Sequence, residues 1–282
     1  SEKAKEQIDE LPEDKPWICW VSFVGPHEPF DTPKPWRGMT NKEGLPKPIE
    51  ERKWIKNLSS NCHMKLIEKK WENKLTENMV QELRQDYGDH LRLLDEQTKE
   101  IIDKLKKRSD FSNTGIVIMS DHGEMLGDGG MLYKSTFIES SINVPMIYRP
   151  PNGISKYTIK EPINLSGIFT IILKGLNKGG VIDPINKWAK KQRGAIVEYA
   201  KERVFIKRKK KLCLDYSGDI MWATDIDKDP NELINEADQE GFTDNKEWAR
   251  IIRWGRRITY LRNKEEWLWR DLIKNKSDQI LA

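Results

Sequence analysis

The chain has 282 residues, 37% hydrophobic and 33% charged, with eleven Trp, seven Phe and seven Tyr, which excludes a wholly disordered polypeptide. Forty-nine Lys and Arg against 45 Asp and Glu leave a net charge of only +4, spread along the chain, so no general polyanion or nucleic-acid binder is expected. No apolar run approaches the ~18 residues of a membrane span, so no transmembrane segment is expected.

The first elements read as a helix and then a strand. Ala4, Ile8 and Leu11 recur at helical spacing, and Trp17-Ile-Cys-Trp-Val-Ser-Phe-Val24 is a continuous apolar run suited to a strand buried on both faces of a parallel sheet. It stops at Gly25-Pro-His-Glu-Pro-Phe30, whose prolines forbid both helix and ladder. Residues 31–80 are polar and carry Trp36, Trp54 and Trp71. They are too long for a plain connection and read as an excursion that covers a cleft and sets substrate choice. Helical spacing then runs from about Glu77 to Lys107, and Gly115-Ile-Val-Ile-Met-Ser120 is a second buried strand. A Gly-rich loop, Gly127-Asp-Gly-Gly130, precedes a third strand over 144–148 and an amphipathic helix over 165–176. After about residue 192 four short strands (195–199, 203–207, 211–216, 221–225) read as an antiparallel meander. Asp229-Pro230 offers an N-cap with Pro at N1, and a charged helix carrying Trp248, Ile251, Trp254, Ile258 and Leu261 runs toward Ala282.

Ligands of open α/β sheets sit outside the carboxyl ends of strands. Two such ends carry suitable groups: His27 after the first strand and Asp121-His122 after the second. A carboxylate beside an imidazole suits a divalent cation, or else Asp121 caps its loop and His122 is an ordinary loop histidine. Lys134 could aim an ammonium at an anion beside that metal, or be a solvated loop lysine. His27 could donate a proton, or be a turn residue. Lys207-Arg-Lys-Lys-Lys211 lies between two strand-like segments and reads as a solvated hairpin tip rather than a polyanion site. Cys19, Cys62 and Cys213 are odd in number and far apart; they build neither a disulfide framework nor a CxxC zinc site, and Cys19 and Cys213 fall in runs that bury them.

Four ordered segments together resemble the sulfatase family of the alkaline phosphatase superfamily. They are Val21-Ser-Phe-Val-Gly-Pro-His-Glu-Pro-Phe30, the helix with Tyr87, Leu91 and Asp95, Ser120-Asp-His-Gly-Glu-Met-Leu-Gly-Asp128 with Lys134 and Glu139-Ser-Ser-Ile-Asn-Val-Pro145, and Ile226-Asp-Lys-Asp-Pro-Asn-Glu232. The resemblance implies an alkaline-phosphatase-like α/β fold: a mixed, mainly parallel sheet flanked by helices, with a small C-terminal antiparallel subdomain. Asp121 and His122 would be metal ligands, normally for calcium. Lys134 would hold a sulfate oxygen, and His27 would contact the bridge oxygen and protonate the leaving alcohol of a sulfated small molecule or carbohydrate. The family's nucleophile is a formylglycine made from the first residue of Cys/Ser-x-Pro-x-Arg. That motif is not found in these 282 residues, nor is the paired-aspartate motif that completes the metal site.

With a Ser1 start, the expectation is an N-terminally truncated sulfatase, inactive alone, whose core spans 1–192 and whose C-terminal part spans 193–282. Members often read Gly-Asp-His-Gly where this chain has Gly127-Asp-Gly-Gly130. A phosphonate monoester or phosphodiester hydrolase of the same superfamily and a non-catalytic homologue stand as alternatives. Compartment and oligomeric state have no signal in the sequence.

Overall fold

The structure is a computed structural model, and it describes residues 1–54, 75–153, 158–168, 172, 194–199 and 201–280, with side chains to 266. Helix α1 (Glu2–Glu10) lies on the long helix α2 (Glu77–Leu105), where Ala4 and Ile8 bury against Ile101, with Leu11, Phe23 and Leu105 around them. Thr76 caps α2, its hydroxyl accepting the Met79 N–H at 3.2 Å. The segment after the His27 turn runs along α2 and is pinned by one carboxylate. Asp89 has no exposed surface and accepts the N–H groups of Gly38 at 2.6 Å and Thr40 at 2.7 Å. Phe30 meets Tyr87 edge-on at 5.5 Å, and the Trp36 indole donates to Glu96 at 2.6 Å.

Strands β1 (Ile116–Met119) and β2 (Met146–Arg149) form a two-stranded antiparallel ladder, Ile116 opposite Arg149 and Met119 opposite Met146. Trp17–Val24, expected as a buried strand of a parallel sheet, is extended but unpaired. Ile18, Trp20 and Val24 are mostly exposed. Strand hydrogen bonds need a neighbour on each side, and none of the described residues supplies one. The run is held by side chains instead. Trp17 Nε1 donates to Asp110 at 2.9 Å with Arg108 stacked 5.6 Å from its ring, and Phe23 packs beside the α1–α2 contact.

Beyond residue 194 the chain folds as an antiparallel meander, β3 (Ala195–Tyr199), β4 (Glu202–Lys207), β5 (Lys210–Asp215) and β6 (Ile220–Asp225), with a register shift at Cys213/Leu214. Side chains alternate across this sheet, so each face finds its own partner. Val204, Cys213 and Trp222 point one way, into a cluster with Trp54, Met125, Met131, Phe137 and Ile138. Phe205, Leu212, Leu214 and Ala223 point the other way, onto Trp248, Ile251 and Ile252 of helix α4 (Lys246–Ile280). Trp54 therefore belongs to the core, 5.2 Å from Trp222, and is not a substrate-facing residue. The expected boundary at residues 192/193 and most of the helix expected over 165–176 lie outside the described residues, as do Cys62 and Trp71.

Two further expectations change. Asp229-Pro230 opens no helix. The Asp229 carboxylate accepts the Ile234 N–H at 2.7 Å, and Glu232 takes a left-handed φ of 57°, which closes a turn instead. Arg208 and Lys209 do form a hairpin tip, but Lys211 has no exposed surface. Its ammonium meets the equally buried Glu232 at 2.5 Å and Glu139 at 3.2 Å. Glu232 also accepts the Thr224 hydroxyl at 3.2 Å and the Glu139 N–H at 2.8 Å, while its carbonyl accepts the Trp54 indole N–H at 3.0 Å. This carboxylate thus ties the meander to α3 (Glu139–Ile142), a short helix between the site loop and β2.

Removing one member of a buried pair leaves an uncompensated charge. We expect Lys211→Met or Glu232→Ala to cost ~3–5 kcal/mol in urea denaturation. The double variant Lys211→Met/Glu232→Ala should be distinctly more stable than the sum of the single losses predicts.

Candidate functional site

His27 and Lys134, 107 residues apart in sequence, are in contact: Lys134 Nζ lies 2.8 Å from His27 Nε2. The histidine rides on the proline-bracketed turn Gly25-Pro-His-Glu-Pro29, which starts with the His27 N–H donating to the Val24 carbonyl at 3.2 Å. Gly25 lets this turn seat on α2, because a Cβ there would lie 2.4 Å from His90 Nε2. The neighbouring Glu28 joins the pair. Lys134 Nζ reaches its carboxylate at 3.1 and 3.4 Å, and His27 Nδ1 lies 2.9 Å from the Glu28 carbonyl and 3.3 Å from its carboxylate. A charged lysine can only donate, so Nε2 of His27 is the acceptor and Nδ1 carries the proton toward Glu28. Burial pushes the Glu28 carboxyl up, but backbone hydrogen bonding and Lys134 outweigh it, and the net direction is down. Glu28 therefore stays ionised through neutral pH.

Lys134 stands between two residues in left-handed backbone, Tyr133 at φ 69° and Ser135 at φ 74°. Such conformations cost about 1–3 kcal/mol each for non-glycine residues and persist only where surroundings enforce them. The enforcing group is Glu124, whose Oε1 accepts the Tyr133 N–H and, at 3.4 Å, the Leu126 N–H. The Met125 N–H donating to the Tyr133 carbonyl at 2.8 Å completes the closure. Burial pushes the Glu124 carboxyl above its ordinary range despite these donors. The Gly-Asp-Gly-Gly stretch is the tip of this closed loop, and Asp128 anchors it. Its carboxylate accepts Arg84 at 2.6 Å, the Ser140 hydroxyl at 2.6 Å and the Ile49 N–H at 2.9 Å.

Asp121 and His122 follow β1, as expected. Gly123 turns the chain under the next segment: its N–H donates to the Ser141 carbonyl at 2.7 Å, and a Cβ would come within 2.1 Å of the Ser140 carbonyl oxygen. The His122 Nδ1 contact with the Gly123 carbonyl at 2.9 Å leaves Nε2 facing outward, 3.8 Å from Asp121 Oδ2. The Asp121 side chain is 84% exposed. These two donors can grip one side of a cation. Among the described residues no third His, Cys, Asp or Glu joins them, so they supply two of the six to eight ligands that calcium takes. No direct hydrogen bond or ion pair among the described residues links this pair to His27 and Lys134. Glu28 and Glu124 were absent from the residues singled out by sequence. Glu28 adjoins His27 in the turn, but nothing local marks a glutamate as the partner of a lysine more than 100 residues away.

The family model for sulfatases matches residues 1–177, well over half of the chain. The chain belongs to the sulfatase family. An arylsulfatase of Clostridium perfringens is 27% identical over 262 residues, covering 84% of this chain and 53% of that protein. A choline-sulfatase of Rhizobium meliloti is 26% identical over 246 residues, covering 79% of this chain and 47% of its own length. The chain thus spans about half the length of these curated relatives. Among solved structures, a phosphonate monoester hydrolase of Agrobacterium radiobacter superposes with a TM-score of 0.67 at 22% identity, over 91% of this chain and 60% of that one. The alkaline-phosphatase-like α/β fold with its C-terminal antiparallel sheet follows from these matches. Among the described residues no helix of this sulfatase chain is long and apolar enough to cross a membrane.

Glu124 acts on Lys134 through the backbone, so acceptor chemistry matters more than charge. In Glu124→Ala the Tyr133 amide should exchange its hydrogen about tenfold faster, the loss of one ~1–2 kcal/mol hydrogen bond. Glu124→Gln, which keeps an acceptor oxygen, should stay near wild type. Amide exchange followed by NMR makes the comparison.

Proposed function

We propose that this chain contributes to a sulfuric ester hydrolase, with Lys134 and His27 holding and protonating the sulfate ester. The observation that carries the reading is the 2.8 Å contact between Lys134 Nζ and His27 Nε2. A fixed cation and a proton-transfer group meet at one point, reached from two remote segments that both match the sulfatase pattern. The curated relatives' activities support sulfate esters as the substrate class.

The ammonium of Lys134 can bind an anionic ester oxygen as a point charge. His27 stands beside it, where the bridge oxygen of that ester would lie. In the present arrangement Nε2 accepts a hydrogen bond from Lys134, so His27 must take up a proton from solvent before it can give one to the leaving alcohol, while Lys134 keeps its charge. Asp121 and His122 would hold one side of a calcium ion, which when bound would spread charge building on the ester oxygens. A formylglycine outside these 282 residues would supply the nucleophile. The hydrolysis of phosphonate monoesters is the second reading, favoured by the superposition on an enzyme of that activity.

On this reading the 282-residue chain assayed alone with an aryl sulfate and calcium should give no turnover. A nucleophile that acts as a unit with its partners leaves little catalysis behind when it is missing. Turnover lost on mutating Lys134 would overturn that expectation. In a longer polypeptide that contains this chain and a Cys/Ser-x-Pro-x-Arg motif, Lys134→Ala and His27→Ala should each lower kcat/KM for sulfate esters by 10²-fold or more, in keeping with the loss of a charge clamp or a general acid. Unchanged rates would sink the assignment, and a higher kcat/KM for phosphonate monoesters would select the second reading.

A further inference from the structure

We propose that Glu28 is a specificity-determining residue, a carboxylate seated on the anion-binding lysine that admits singly charged esters in preference to doubly charged ones. The inference rests on the reading of Lys134 and His27 as the pair that holds the ester anion. What carries it is position. The same Lys134 ammonium that would take an ester oxygen is already paired with Glu28, at 3.1 and 3.4 Å, and His27 is only 3.3 Å from the same carboxylate. An arriving anion must share Lys134 with Glu28 or push it aside.

The turn holds the carboxylate there. Pro26 and Pro29 bracket His27 and Glu28 and limit the backbone, and the Glu28 carbonyl is engaged by His27 Nδ1 at 2.9 Å. The charge balance is unusual for an anion site: Glu28 and Glu124 both bear on it, while Lys134 is the cation in contact with Glu28. Each unit of ligand charge meets the Glu28 repulsion once, so a dianion pays it twice and the penalty in affinity is squared. The Glu28 side chain is 31% exposed, which screens it strongly. At ~5 Å in a nearly water-like dielectric the repulsion amounts to about threefold in affinity per unit charge, hence about tenfold for a dianion.

The probes are inorganic sulfate, a dianion, and methyl sulfate, a monoanion of the same chemistry. Their affinities for the 282-residue chain are measured by calorimetry at one neutral pH and low ionic strength, where surface electrostatics are least screened. Glu28→Gln should tighten sulfate about tenfold and methyl sulfate about threefold, with Glu28→Ala behaving alike and Lys134→Ala losing both ligands. Equal effects on the two ligands, no effect, or weaker binding in both Glu28 variants would overturn the gate; weaker binding would make Glu28 a support for Lys134 instead. Those outcomes leave the anion site standing so long as Lys134→Ala abolishes binding. Absence of binding in every variant, or binding indifferent to Lys134→Ala, overturns the anion site itself and the gate with it.

Discussion

A lysine with no exposed surface needs a carboxylate at contact distance, and the architecture around Lys211 follows from that need. Glu232 meets it, and in doing so leaves the helical path its Asp-Pro start suggests. The same carboxylate accepts the Thr224 hydroxyl and the N–H at the start of α3. Burial presses the nearby Arg52 guanidinium toward its neutral form, and the charges of Glu232, Asp128 and Asp229 oppose that. Apolar contact is non-directional, and the ion pair adds a directional contact that favours one register of the meander on the core.

That register reaches the site through a short path. Glu139 pairs with Lys211 and starts α3; Ser140, next to it, donates to Asp128; Asp128 also takes Arg84 from α2 and anchors the loop that presents Lys134. On the other side, His90 of α2 lies against Gly25 at the start of the turn that presents His27, and Asp89 holds the segment that follows it. One long helix thus references both halves of the contact, and rigid elements place mobile side chains to within hydrogen-bond distance. The exposed ends of the site, Asp121 above all, lack such support among the described residues.

Much of this was legible in the order of the residues. The four short strand-like segments over 195–225 predict an antiparallel meander, and the structure sends Val204 and Phe205, and likewise Cys213 and Leu212, to opposite faces of it. The helical spacing from Glu77 is equally plain, since both signals are local in the chain. The Pro-His-Glu-Pro turn and the Ser-Asp-His-Gly segment point to His27, Asp121, His122 and Lys134 through family resemblance, while spacing alone leaves each beside an ordinary structural alternative. Trp17–Val24 misleads, because a continuous apolar run states what a strand would bury and not whether a neighbour is there to pair with it.

What the sequence by itself determined was therefore the set of elements, the family and the residue types able to hold an ester anion and a cation. Tertiary structure alone decided which charges meet. It made Lys211 a buried tie rather than part of a solvated tip, drew Trp54 into the core, and seated Glu28 on Lys134. The physical reason is range: periodicity and capping act over a few residues, whereas an ion pair's partner is chosen by the path of the whole backbone. No local pattern encodes a contact that spans 106 residues, as that of Lys134 with Glu28 does.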